Sequence, residues 1–118
     1  MHKDQDQRIS QMTFSSVYPL YLSKVQKKGR TIAELHQIIE WLTGYDETAI
    51  KKHINENATF ETFFRMAAIN KNATLIKGTI CGTKIEDIEN PLTKQVRYLD
   101  KLIDELAKGK SMEKILRA

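Results

Sequence analysis

The sequence predicts an all-α fold: a single compact domain of five to seven helices packed at mixed angles, as in an orthogonal bundle. Three observations carry this. Between Asn90 and Gly109, Leu92, Val96, Leu99, Leu102, Ile103 and Leu106 fall within one third of a helical wheel, and Lys94, Arg97, Lys101, Asp104, Glu105 and Lys108 take the other side. Helix start and stop signals recur along the chain, with Thr31 and Asn90 as caps and Gly29, Gly44 and Gly109 as terminators. The one β-branched run, Thr79-Ile80-Cys81-Gly82-Thr83-Lys84-Ile85, has no second run to pair with and reads as a glycine-bounded connector. Helices of such unequal length do not make a regular four-helix bundle.

Taken in order, residues 1–11 lack apolar periodicity and read as a flexible arm ahead of a helical domain at 12–118. Ser16–Lys28 reads as a helix capped by Ser15 or Ser16, with Pro19 in its tolerant first turn. Thr31-Ile-Ala-Glu34 is a capping box, in which Thr31 and Glu34 each satisfy a backbone donor of the other. It opens a helix whose stripe is Ile32, Leu35, Ile38, Ile39, Leu42 and Tyr45, with Trp41 at the edge. Only Gly29-Arg30 separates these two helices, so they should form a helical hairpin. Asp46 caps a third helix through about Glu56. Thr59 starts a short fourth bearing Phe60, Phe63 and Phe64, and Asn70-Lys71-Asn72 is a turn before one or two helical turns at Ala73–Lys77. In the long helix Asn90 caps, Pro91 occupies the first position, where its missing N–H costs nothing, and Gly109 ends it. Met112, Ile115 and Leu116 mark a terminal helical turn.

At 118 residues the chain holds one domain's core, and its 41% hydrophobic and 29% charged residues exclude wholesale disorder. No apolar run approaches the roughly 20 residues of a membrane span, and the polar Met1–Arg8 is unlike a secretion signal. A lone cysteine excludes an internal disulfide, so the expected setting is cytoplasmic, without membrane contact. The net charge of +4 is uneven: residues 1–30 carry six cations and two acids, and the remainder thirteen of each.

Six ordered stretches resemble a known family: Ser16-Val-Tyr-Pro-Leu-Tyr21, Lys27-Lys-Gly-Arg-Thr31, Trp41-Leu-Thr-Gly-Tyr-Asp46, Thr59-Phe-Glu-Thr-Phe-Phe64, Ile80-Cys-Gly82 and Arg97-Tyr-Leu-Asp-Lys-Leu102. The family is an uncharacterised bacterial one, the domain-of-unknown-function family numbered 2200. The resemblance runs from about Arg8 to Leu116. It implies a compact, all-helical, cytoplasmic bacterial protein and carries no activity, cofactor or site residue with it.

No catalytic constellation is visible. His36 and Glu40 have a spacing that can present two metal ligands, but both fall opposite the apolar stripe, where a solvated pair is the preferred reading. Three scattered histidines and one cysteine match no zinc pattern, so neither metal nor cofactor is expected. Cys81, between Ile80 and Gly82, reads as a small buried hydrophobe rather than a nucleophile. Two candidate surfaces stand out. One is a basic face of Lys24, Lys27, Lys28 and Arg30, with no acid between Gln7 and Ala33 to oppose it. The other is a ligand or partner groove lined by Tyr18, Tyr21, Trp41 and Tyr45.

The leading reading is a non-enzymatic binding or regulatory module acting through protein contacts, with a protein partner or a second copy of itself. A weak, incidental nucleic-acid binder through Lys24–Arg30 is the alternative. Thr59–Ala67 and Ala73–Lys77 also faintly resemble a helix-turn-helix, with only Lys71 and Lys77 to offer. An enzyme or small-ligand binder near the tyrosines ranks third.

Overall fold

The computed structural model describes residues 2–117, with side chains from Asp4 onward. Seven α-helices run α1 (His2–Gln11), α2 (Phe14–Gln26), α3 (Ile32–Thr43), α4 (Glu47–Asn55), α5 (Phe60–Arg65), α6 (Pro91–Ala107) and α7 (Met112–Ile115). Short 3-10 turns occupy Lys71–Leu75 and Ile85–Asp87. The radius of gyration of 13.4 Å matches the ~13.5 Å expected for one globule of this length.

The long helix sits at the centre. Asn90 Oδ1 accepts from Thr93 N at 2.9 Å and Pro91 takes the first position, so this end forms as its sequence dictates. Leu99, Leu102 and Leu106 are fully buried, and α6 packs against α1, α2, α3, α5, α7 and the segment at Thr79–Ile80. Each such leucine contributes roughly 1.5–3 kcal/mol of apolar transfer. The polar side is less idle than the wheel suggests, because Glu105 is buried. Its Oε2 accepts from Arg117 at 2.8 Å and faces Lys110 Nζ at 3.6 Å, tying down the chain beyond α7. Helix α3 starts on its capping box, with Thr31 N to Glu34 Oε1 at 3.0 Å and Glu34 N to Thr31 Oγ1 at 3.1 Å. Leu35, Ile38, Ile39 and Leu42 are buried, and Ile32, at the helix's first position, remains 46% exposed.

The all-α architecture stands, with one local correction. Thr79–Ile80 (β1) finds its partner four residues on in Thr83–Lys84 (β2), antiparallel, with Thr79 opposite Lys84. The partner escaped notice because it is two polar residues long. Cys81 and Gly82 both take positive φ, +53° and +78°, the geometry that turns a two-residue hairpin with the natural strand twist. Lys101 Nζ donates to Thr79 O at 3.2 Å, and Gly78 N donates to Glu86 Oε1 at 2.9 Å, so α6 and the following turn hold the hairpin.

Three further expectations change. The segment read as an arm forms α1, with Ile9 buried in the core and Asp6 Oδ1 accepting from Thr93 Oγ1 at 2.6 Å. Ile9 is the one apolar residue in these ten, so there is no periodicity to see, and its burial together with the Asp6–Thr93 bond docks the helix. Helix α2 starts earlier than expected, on Thr13, whose Oγ1 accepts from Ser16 N at 3.3 Å. Pro19 therefore lies in its second turn, at a cost of about 3 kcal/mol set against four buried side chains, Phe14, Val17, Tyr21 and Val25. Finally, no helix-turn-helix forms, since the element after Asn70 is a five-residue 3-10 turn.

Helix α2 begins where it does because two helix starts are bonded together. Phe14 N donates to Ala58 O at 2.7 Å and Phe60 N to Met12 O at 2.8 Å, pairing Thr13 with Thr59, the cap of α5. Phe14 is thereby stacked on Phe63, ring centroids 4.2 Å apart, with Phe60 edge-on at 6.3 Å.

Candidate functional site

The basic face is assembled from two helix ends. Arg30 Nη1 donates to Lys110 O at 2.9 Å, joining the turn after α2 to the turn after α6, so Lys108 and Lys110 lie beside the predicted cations. Acids oppose the face after all, one distant in sequence and one four residues beyond Arg30. Lys24 Nζ lies 3.3 Å from Asp104, and Arg30 holds Glu34 through Nε at 3.2 Å and Nη2 at 2.8 Å. That fork holds the Glu34 carboxyl below its ordinary value. At Asp104 burial raises the carboxyl, but hydrogen bonds from Lys108 and Lys24 outweigh it and leave the group lowered. In the Arg30–Glu34 pair the carboxylate is the more exposed partner, 28% against 16%, and the lysine pairs run the other way. Asp104 and Glu105 side chains are 16% and 6% exposed, whereas Lys24, Lys108 and Lys110 are 46%, 73% and 50% exposed. Lys27 and Lys28 are also exposed. At the lysine pairs solvent therefore meets ammonium groups, with Asp104 and Glu105 behind them.

The aromatic residues are not brought together. Tyr18 and Tyr21 leave α2 in different directions. Tyr18 Oη hydrogen-bonds His36 Nε2 on α3, and Tyr21 Oη donates to Asp100 Oδ1 on α6 at 2.8 Å. Tyr45 Oη donates to Phe63 O at 2.5 Å, and Trp41 is half-buried against the core. Each phenol is spent on a different element. Burial raises the phenol of Tyr18, with Glu47 adding to it, and burial alone raises that of Tyr45. Burial, the Asp100 charge and its hydrogen bond push Tyr21 well above the ordinary tyrosine value.

His36 and Glu40 part company. His36 is buried, with Nδ1 3.6 Å from Glu47 Oε1 on α4, and Glu40 faces solvent. The wheel placed His36 opposite the stripe, but Tyr18 of α2 and Glu47 of α4 cover that side too. His53 is also buried, its ring 4.7 Å from Tyr45 and 5.2 Å from Phe63. Burial lowers its pKa, more than Glu56 raises it, with Lys52 lowering it further.

Cys81 is exposed, contrary to expectation, because it forms the hairpin tip. Arg97 Nη1 lies 3.3 Å from its sulfur and 2.8 Å from Asp100 Oδ2, so thiol, guanidinium, carboxylate and the Tyr21 phenol form one chain of contacts. On one side of this chain lies a depression of about 250 Å³, walled by Val17, Leu20, Ile80 and Ile103. On the other lies a cleft of about 230 Å³ that Arg97 shares with α1 and the loop before α6. Sequence reasoning missed Arg97 as a site residue, because the groups around it come from residues 5–6, 81 and 87–100. The only linear signal was the Arg97–Asp100 spacing. Among the described residues no group of three or more potential ligands is placed to hold a metal ion, and no helix is long and apolar enough to cross a membrane.

Comparison with known proteins places this geometry in context. The crystal structure of the uncharacterized protein SP1917 is similar at a TM-score of 0.87 and 39% sequence identity, covering 93% of this chain and 91% of that one. No curated protein matches. The model of the family described as "Uncharacterized protein conserved in bacteria (DUF2200)" matches residues 8–117. The chain belongs to that family.

Proposed function

We propose that the protein is a non-enzymatic binding module that docks an acidic protein partner on the basic end formed by α2, α6 and the turns after them. One observation carries this reading: at that end Asp104 and Glu105 are sheltered while the ammonium groups of Lys24, Lys108 and Lys110 are exposed. A surface of this kind steers and holds a polyanion electrostatically, in a salt-dependent way. Among the described residues that end offers ammonium and guanidinium groups, which meet duplex DNA through its phosphates.

The test compares the wild type with a Lys27→Gln, Lys28→Gln, Lys110→Gln triple variant on immobilised polyglutamate and on duplex DNA. Polyglutamate should be retained at low salt and lost in the variant. DNA retention should be weak, without sequence preference, and absent near physiological salt. Removing three phosphate contacts should flatten the log–log salt slope on DNA by roughly 2 to 3, near 0.9 per contact. Undiminished binding by the triple variant would remove the basic end from consideration. Sequence-selective DNA binding that survives physiological salt would replace the protein-docking reading with nucleic-acid recognition.

A further inference from the structure

The cleft beside Arg97 carries charges of both signs at close quarters. Arg97, its side chain 16% exposed, lines one wall. Asp6 of α1 and Asp87 and Glu89 before α6 also line the cleft, with Gln5, Thr83 and Thr93 among the neutral residues between them. Arginine has five N–H donors, and here one nitrogen, Nη1, meets both Asp100 and Cys81. Among the described residues Nε and Nη2 make no hydrogen bond. Those two nitrogens form the side of the guanidinium that grips a carboxylate with two parallel bonds. Arg30 does this to Glu34 in the same molecule. The Arg97 fork is built alike and left open.

The acids are similarly uncommitted. Asp6 spends Oδ1 on the Thr93 hydroxyl, and Asp87 and Glu89 have no ion pair among the described residues. A guanidinium in the wall disfavours a bare divalent cation, and three carboxylates disfavour phosphate or another plain anion. A ligand carrying both charges satisfies both sides. The volume of about 230 Å³ lies below the roughly 300–1,000 Å³ of a drug-sized site, which limits the ligand to a small metabolite.

We propose that this cleft binds a free α-amino acid, its carboxylate on the Nε–Nη2 fork of Arg97 and its ammonium among Asp6, Asp87 and Glu89. The site is separate from the basic end and stands or falls without it.

The experiment follows backbone amide shifts of the isotopically labelled full chain while the twenty common amino acids are added singly at millimolar concentration. Acetate, methylamine, inorganic phosphate and magnesium chloride serve as single-charge controls. At least one amino acid should saturably shift amides of residues 83–97, and its methyl ester and the controls should not. Asp87→Asn with Glu89→Gln, two exposed positions whose change leaves the fold intact, should weaken that binding by about tenfold or more. Arg97→Gln should abolish it, and Arg97→Lys, which keeps the charge but loses the fork, should not restore it. No saturable shift from any amino acid would overturn the proposal. So would equal shifts from acetate or methylamine, or full binding by the Asp87→Asn/Glu89→Gln protein.

Discussion

His53 shows how little a residue type says about its task. Its imidazole is packed against the rings of Tyr45 and Phe63, and its Nδ1 has no partner among the described residues. Burial disfavours the charged form and lowers the folded-state pKa below the ordinary 6.5. The unfolded chain therefore binds this proton first as pH falls, so His53 costs stability progressively below the ordinary histidine value. Chemical denaturation at a series of pH values from about 7 to about 5 should show stability falling with pH. The His53→Phe variant should give a flatter profile over that range. An unchanged slope would mean that the ring is solvated. His36, buried as well, was misplaced by the helical wheel for a concrete reason: periodicity locates a helix's main apolar face and is blind to a second face covered by neighbours. Cys81 was misplaced in the opposite sense, because a β-branched neighbour and a glycine suit a hairpin tip as well as a buried connector.

At the scale of elements, what could be read was what is written locally. The Asn90-Pro91 start of α6, the Thr31/Glu34 box and the caps at Asp46 and Thr59 each lie within four residues of the groups they bond. The start of α2 at Thr13 was not legible, because the pairing that fixes it joins Phe14 to Ala58 and Phe60 to Met12 across the molecule. The cleft at Arg97 was hidden for the same reason, being built by α1 and α6 together. The end of α3 offers a sharp test of a local rule. Gly44 has φ +76°, and a Cβ there would sit 3.3 Å from both the Cβ and the carbonyl oxygen of Ala68. Gly29 has nearly the same φ, +78°, with nothing within 4 Å. Both Gly→Ala changes should cost the left-handed penalty of about 1–2 kcal/mol. Gly44→Ala should cost measurably more in denaturant titrations, and equal losses would mean that the α3–α5 junction yields.

At the scale of the whole molecule, α2 and α6 are joined by polar contacts as well as by the core. Tyr21 reaches Asp100 across 79 residues, Lys24 reaches Asp104 across 80, and Arg30 reaches Lys110 O across 80. With one core cluster extending from Ile9 to Ile115, heat or denaturant should remove helix and aromatic environment in one transition. Far-ultraviolet circular dichroism and Trp41 fluorescence should then report the same midpoint, and two separated midpoints would reveal independently folding parts.

The central place of α6 also bears on how the chain is made. Synthesis proceeds from the N-terminus, so α1, α2, α3 and α5 are all made before the helix they pack against. Until Pro91–Ala107 emerges, the faces of these helices that pack against it lack that cover. Exposed apolar surface of this kind invites aggregation or chaperone capture. A chain truncated after Glu89 should therefore be protease-sensitive and chaperone-bound, and the full chain resistant.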